Sequence, residues 1–293
     1  MSERGFIRWL RGQVAPCRDV RVDIGHDAAV VRGRDPSVLK VDNLVESIHF
    51  RRGTPPARIG HKAMARPLSD FAAMGATPRF ALVGWTVPRG ASAILRPLFT
   101  AMRRTGEKYG VRIVGGDLCS HRGPLAISVS LFGFASGPLL TRRGARSGDL
   151  VCVTGALGGS ILGKHLAFRP RLEEGRRLAR AGAHAMIDIS DGLLVDLDRM
   201  CEESGAGATL FERLIPVSAA ARRLARRTGR PAIEHALTDG EDYELLAAVP
   251  EKLARKLDFL QPIGEISARR GIRMIDSGFR FKNLAARGWL YDL

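Results

Sequence analysis

Apolar positions along this chain recur with two periods. Helix-like spacing covers residues 57–74 and 91–109 in the first half. In the second half it covers 157–167, 171–181, 191–203, 218–228 and a segment near 251–257. A short amphipathic helix is expected at 3–12, and Pro67 should break or kink the helix it falls in. Strand-like stretches fall at 28–31, 38–41, 80–87 and 111–114. From Ala126 to Phe132 small or polar residues alternate with apolar ones, the period of a half-exposed strand. Further strands are expected at 150–154, 185–188, 207–210 and 243–249, with short ones to about 275. Strands and helices mix without a strict βαβ rhythm, which predicts two α+β domains rather than one doubly wound sheet. The Gly/Arg-rich connector GPLLTRRGARSGD (137–149) is the best boundary, dividing the chain into domains 1–138 and 139–293.

Composition narrows the class. The chain has 293 residues, and 45% hydrophobic content is enough for packed cores and too much for a disordered chain. Four cysteines without a CxxC pair argue against a disulfide framework or a structural zinc site, and fit a reducing cytoplasm. No apolar run reaches the roughly 18–20 residues that span a bilayer, and the start MSERGFIRWLRGQ lacks a signal-peptide h-region. The formal charge of +16 admits a polyanion partner. Its pattern, scattered Arg pairs and arginines on the polar positions of amphipathic helices, reads instead as a solvated surface. No aromatics interleave to stack on bases, so nucleic acid is not expected as a partner.

In so basic a chain the acids in short, mostly Gly-rich contexts stand out. They are Asp27 in GHDA, Asp42 in VDN, Asp70 in LSD, Asp117 in GGD, Asp188 and Asp191 in DISDG, and the run DGEDY at 239–243. Singly, each reads as a turn residue or a helix cap; Ser190 or Asp191 suits an N-cap before LLVDLDRM. Together they are the donor set that hard Mg²⁺ ions require, since these bind through carboxylates and substrate phosphates. Gly115-Gly116 after a strand offers backbone N–H groups, and Arg142 or Arg143 in the connector can clamp a phosphate. There is no Walker A motif, no GxSxG elbow and no HExxH spacing, and GALGG (155–159) is only a partial Gly-rich loop.

These pieces, in this order, resemble the thiamine-monophosphate kinase family, in the superfamily of aminoimidazole-ribonucleotide synthetase and selenophosphate synthetase. The stretches that carry the resemblance are GHDAAV (25–30), VDNLVESIHF (41–50), GHKAMARPLSDFAAMGATP (60–78), YGVRIVGGD (109–117), VTGALGG (153–159), the run RPRLEEGRRLA through IDISDGLLVDL (169–197) and ALTDGEDYELL (236–246), with LTRRGARSGD (140–149) adding less. The resemblance implies two α+β domains, with a homodimer formed through the N-terminal sheets. It also implies ATP-dependent conversion of thiamine phosphate to thiamine diphosphate, with several Mg²⁺ ions on the ATP phosphates. Position by position, Asp27, Asp42, Asp70, Asp117, Asp188 and Asp191 match metal ligands. Gly116, Asp117, Arg142 and Ser190 match ATP contacts, and His49, Glu241 and Trp289 match substrate contacts. Trp289 either covers the thiamine rings or anchors the C-terminus.

The chain departs from the family pattern in several places. His26-Asp27 stands where two acids are usual, and Lys40-Val41 where Ser-Thr precedes the metal-binding Asp. Asn43, Pro67, Leu118 and Asp239 also differ, and the segment 160–175 looks shortened. The Lys40 ammonium either replaces one cation electrostatically or points away. Two alternatives to full kinase activity stay open: a catalytically silent nucleotide or thiamine-phosphate binder, and a related enzyme with another small acceptor.

Overall fold

A computed structural model describes residues 9, 12–15, 17–22, 30–31, 37–135 and 137–289. The expected helix at 3–12 and strand at 28–31 fall largely outside the described residues, as do His26 and Asp27. Two compact units emerge: the first from residues 1–71 and 77–136, the second from 72–76 and 137–293. Both are α+β.

In the first unit, β1 (Val20–Val22) pairs with β2 (Val30–Val31). Four longer strands form the main sheet: β3 (Ser37–Val45), β4 (Thr77–Pro88), β5 (Arg112–His121) and β6 (Ala126–Phe134), in the order β3-β6-β4-β5. Helices α1 (Pro56–Ala73) and α2 (Ser92–Lys108) complete the unit. Alternate β6 residues Ile127, Val129 and Leu131 are buried, while those between them are half-buried, so one sheet face carries the core.

Helix α1 runs through Pro67 without interruption. Proline removes one backbone donor and costs about 3 kcal/mol in a helix interior. Met64, Ala65, Leu68, Phe71 and Ala72 are fully buried around it, and that apolar burial outweighs the local penalty. Strand β5 also exceeds its expected end at residue 114. It runs parallel to β4 through residue 121, so Gly115-Gly116-Asp117 lies within a strand rather than after one.

The second unit carries a seven-stranded sheet. Its strands are β7 (Leu150–Val153), β8 (Ala185–Asp188), β9 (Gly207–Phe211), β10 (Leu245–Val249), β11 (Gln261–Ser267), β12 (Gly271–Ile275) and β13 (Phe281–Leu284), in the order β13-β12-β9-β11-β7-β10-β8. Its helices are α3 (Leu172–Ala181), α4 (Leu193–Ser204), α5 (Ala219–Thr228), α6 (Ala232–Thr238) and α7 (Glu251–Ala254). Val151, Val153, Ile187, Leu193, Leu197, Leu210, Leu246 and Ile263 form its core.

The helix expected at 157–167 is instead two short 3-10 turns, Ser160–Leu162 and Lys164–Leu166. Gly158, Gly159 and Gly163 hold φ of 83°, 72° and 137° there, left-handed values that glycine alone adopts freely. Helix α6 and strand β13 have no counterpart in the apolar pattern.

Candidate functional site

In the first unit the expected acids meet cations of the chain itself. Lys40 and Asp42 are two apart on β3 and share the face turned to α1, while Arg66 and Asp70 are four apart on α1. The Lys40 ammonium lies 3.0 Å from Asp70 Oδ1, and the Arg66 guanidinium lies 3.2 Å from Asp42 Oδ1. Arg66 also donates to the Asn43 carbonyl at 2.8 Å. Burial raises the Asp42 carboxyl above its ordinary range, outweighing the opposing pull of Arg66, Lys40 and Lys62.

One turn before Arg66, Lys62 is wholly buried, and its Nζ donates to the His49 carbonyl at 2.6 Å. The His49 ring accepts the Val45 N–H at Nδ1, at 3.0 Å. Burial, helped by Arg66 and Lys62, lowers the imidazole to about 4. The ring is therefore neutral near pH 7, with its proton on Nε2. Lys62 and Arg66 escaped the sequence reading. Their signal was the spacing of 62, 66 and 70 in one stripe along α1.

Asp117 is exposed on β5, the edge of the sheet opposite to β3. It registers with Gly84 and Ser128 and, through them, with Asn43 rather than Asp42. Three strand spacings separate the two edges, roughly 14 Å at about 4.8 Å each. One chain therefore does not bring Asp42 and Asp117 together. Gly116 is required by contact: a Cβ there would lie 1.9 Å from the Val83 carbonyl oxygen.

In the second unit Asp188 ends β8, largely buried, and Ser190-Asp191-Gly192 leads into α4. Neither Ser190 nor Asp191 caps that helix. Asp196, from its first turn, reaches back and accepts the N–H groups of Ser190, Asp191 and Gly192 at 3.0, 2.9 and 3.2 Å. Burial, with the charge of Asp188 adding to it, pushes the Asp196 carboxyl up to about 7. Arg199 pairs with both Asp191 and Asp196.

Two further segments dock on this turn. Glu241, at φ 52°, donates its N–H to the Ser190 carbonyl at 2.7 Å, and Trp289 donates its own to the Asp191 carbonyl at 2.9 Å. The half-buried Glu241 and the 51% exposed Trp289 are thereby gathered with Ser190 and Asp191. Arg142 is exposed on the connector, whose Gly144 and Ala145 amides donate to Ser204 Oγ.

The remaining acids of the DGEDYE run turn inward. Asp242 accepts the Gly158 N–H at 2.8 Å and the Ser160 hydroxyl at 2.5 Å, and Asp239 accepts the Gly159 N–H at 2.9 Å. The amides of the partial Gly-rich loop thus bind carboxylates of the chain. Burial alone would raise Glu244, but a two-pronged Arg171 contact and Lys164 hold it below its ordinary value.

Among the described residues no group of three or more His, Cys, Asp or Glu side chains could hold a metal ion. The Asp42–Asp70 pair does not fit a divalent ion, because each carboxylate already faces a fixed cation. Asp117 and Asp188 carry hard oxygen atoms of the kind that Mg²⁺ prefers.

Residues 25–135 match the family model for the N-terminal domain of AIR synthase related protein, and residues 133–277 match that for its C-terminal domain. A thiamine-monophosphate kinase of Rhodopirellula baltica is 39% identical over 307 aligned residues, covering 99% of this chain and 97% of the relative. The chain belongs to the thiamine-monophosphate kinase family. The crystal structure of the thiamine-monophosphate kinase of Stenotrophomonas maltophilia K279a superposes with a TM-score of 0.82 at 29% identity, covering 94% of this chain and 96% of that one. AaThiL, solved in complex with AMPPCP and TMP, gives 0.79 at 26% identity, covering 98% and 96%. Thiamine-monophosphate kinase membership makes this protein an ATP-dependent kinase of a small phosphorylated substrate, on a two-domain AIR-synthase-like α+β fold.

Proposed function

We propose that the protein transfers the γ-phosphoryl group of ATP to the phosphate of thiamine phosphate, giving thiamine diphosphate and ADP. The observation that carries this reading is the docking of Glu241 and Trp289 on the Ser190–Asp191 turn. Glu241 supplies a carboxylate and Trp289 a partly exposed indole, groups that suit a cationic thiazolium through charge attraction and the aromatic face. Residues matching ATP and substrate contacts therefore share one turn.

The acceptor oxygen is already ionised at neutral pH, so the step needs positioning and charge stabilisation more than a general base. The acceptor phosphate oxygen bonds to the γ-phosphorus in line with the departing β–γ bridging oxygen, which leaves on ADP. Gly116, Asp117, Arg142 and Ser190 are assigned to ATP, and His49, Glu241 and Trp289 to the acceptor. Neutral His49 would donate from Nε2. Mg²⁺ carried by the nucleotide would supply charge neutralisation on the phosphates; Asp117 and Asp188 each match a metal ligand.

The reading includes a homodimer through the open face of the first sheet. Leu39 (75% exposed), Val41 (57%) and Leu82 (45%) lie on that face, and a soluble monomer rarely leaves such an apolar surface uncovered. It also includes a cytoplasmic site of action, supported by four unpaired cysteines. Among the described residues no helix is long and apolar enough to cross a membrane.

The test is direct. Purified protein incubated with ATP, Mg²⁺ and thiamine phosphate should yield thiamine diphosphate by chromatography, and Glu241→Gln should raise KM for thiamine phosphate more than it lowers kcat. Absence of product at every Mg²⁺ concentration removes the reading.

A further inference from the structure

Lys40, Asp42, Arg66 and Asp70 form a two-by-two patch of alternating charge where β3 meets α1. Lys40 sits 3.0 Å from Asp70 and also acts electrostatically on Asp42, two residues along the same strand face. Its ammonium therefore occupies a position from which one positive charge serves both carboxylates. Arg66 closes the outer side of Asp42 at 3.2 Å and is itself held by the Asn43 carbonyl. The side chains of Asp42 and Arg66 are largely buried, which limits the water available to loosen their pair. Lys62, wholly buried on the same helix, adds a third cation nearby. Among the described residues Lys40, Arg66 and Lys62 all act on Asp42, and Lys40 also meets Asp70. A divalent ion entering here would have to displace a cation held by the fold and overcome repulsion from the others.

We infer that Lys40 and Arg66 are built-in replacements for metal, filling the cation positions at Asp70 and Asp42 so that this patch takes no divalent ion. The protein then works with fewer divalent ions than its six expected aspartates would hold. Lys40 is in this sense a positioning residue: its charge holds Asp70 and Asp42 in the geometry that a metal would otherwise impose. The inference concerns the same site as the proposed kinase reaction and rests on that reading only for its consequence in turnover.

The test counts ions without nucleotide or turnover. Mn²⁺ is titrated to millimolar concentration into the full-length protein, and free Mn²⁺ is read by electron paramagnetic resonance. The comparison is between wild type, Asp70→Asn, Lys40→Arg and the double variant Lys40→Ser/Arg66→Ala, each checked for folding by circular dichroism. Asp70→Asn and Lys40→Arg should bind the same number of Mn²⁺ per chain as wild type. The double variant should gain one, and adding Asp70→Asn to it should abolish the gain. If Asp70→Asn in the wild-type background removes a bound ion, Asp70 already holds metal and the inference is overturned. That measurement stands even if the double variant does not fold. Failure to make thiamine diphosphate would leave these counts unchanged, so the two readings fail separately.

Discussion

His49 shows how a single side chain is tuned by what surrounds it. Its imidazole is lowered to about 4 by burial and by the neighbouring Arg66 and Lys62, against an ordinary value of 6.5. Between those values the unfolded chain binds a proton that the folded chain refuses. Stability therefore falls as pH drops from about 6.5 to about 4, and His49 contributes nothing to pH dependence above that window. His49→Gln should show a shallower loss of stability across the same window in urea unfolding. Asp196 is the second case, with its carboxylate taking three turn amides and Arg199. Asp196→Ala leaves those donors without their acceptor, and a loss of about 3 kcal/mol is expected from the urea midpoint. Asp196→Asn, which keeps one acceptor oxygen, should lose less. Sequence reading favoured Ser190 or Asp191 as the cap. Nothing local marked Asp196 as the acceptor, because the reversal of the chain that aims three N–H groups at it forms only in the folded turn.

At the level of elements, the local pattern was legible wherever periodicity and burial agreed. It located α2, α3, α4 and α5 closely, because amphipathic spacing is a local property. It erred at 157–167, where apolar residues have helical spacing but three left-handed glycines break the path. At Pro67 the helix does not break, because core burial overrides a local penalty. Strand β5 outran its apolar run because pairing with β4, not side-chain hydrophobicity, defines its length. That pairing gives Gly116 its role. Gly116→Ala would thrust a methyl to 1.9 Å from the Val83 oxygen, so β5 must shift away from β4. A cost on the order of 2 kcal/mol is expected, read as a fall in Tm of roughly 5 °C. Since Asp117 is the next residue, affinity for a nonhydrolysable ATP analogue should weaken in the same variant.

For the whole molecule the question is what covers the open face of the first sheet. The exposed apolar residues Leu39, Val41 and Leu82 share that face. Replacing Leu39 and Val41 by Asp should give a monomer in sedimentation analysis with an unchanged circular dichroism spectrum. A wild-type protein that sediments as a monomer at micromolar concentration would remove the dimer from the reading. The acids expected to cooperate are distributed over both units, and Asp42 and Asp117 lie on opposite edges of one sheet. A second copy is one way for separated edges to meet.

The sequence by itself determined the two α+β units, the family and the set of acids worth testing. Those follow from periodicity and from short motifs, which are properties of neighbours along the chain. Only the tertiary structure decided what each acid faces. Lys40 and Asp70, Arg66 and Asp42, Asp242 and Gly158 are far apart in sequence and meet only when helix, strand and loop pack. A carboxylate's partner is set by distance in space: the stripe of 62, 66 and 70 is written in the chain, but which strand it packs against is not.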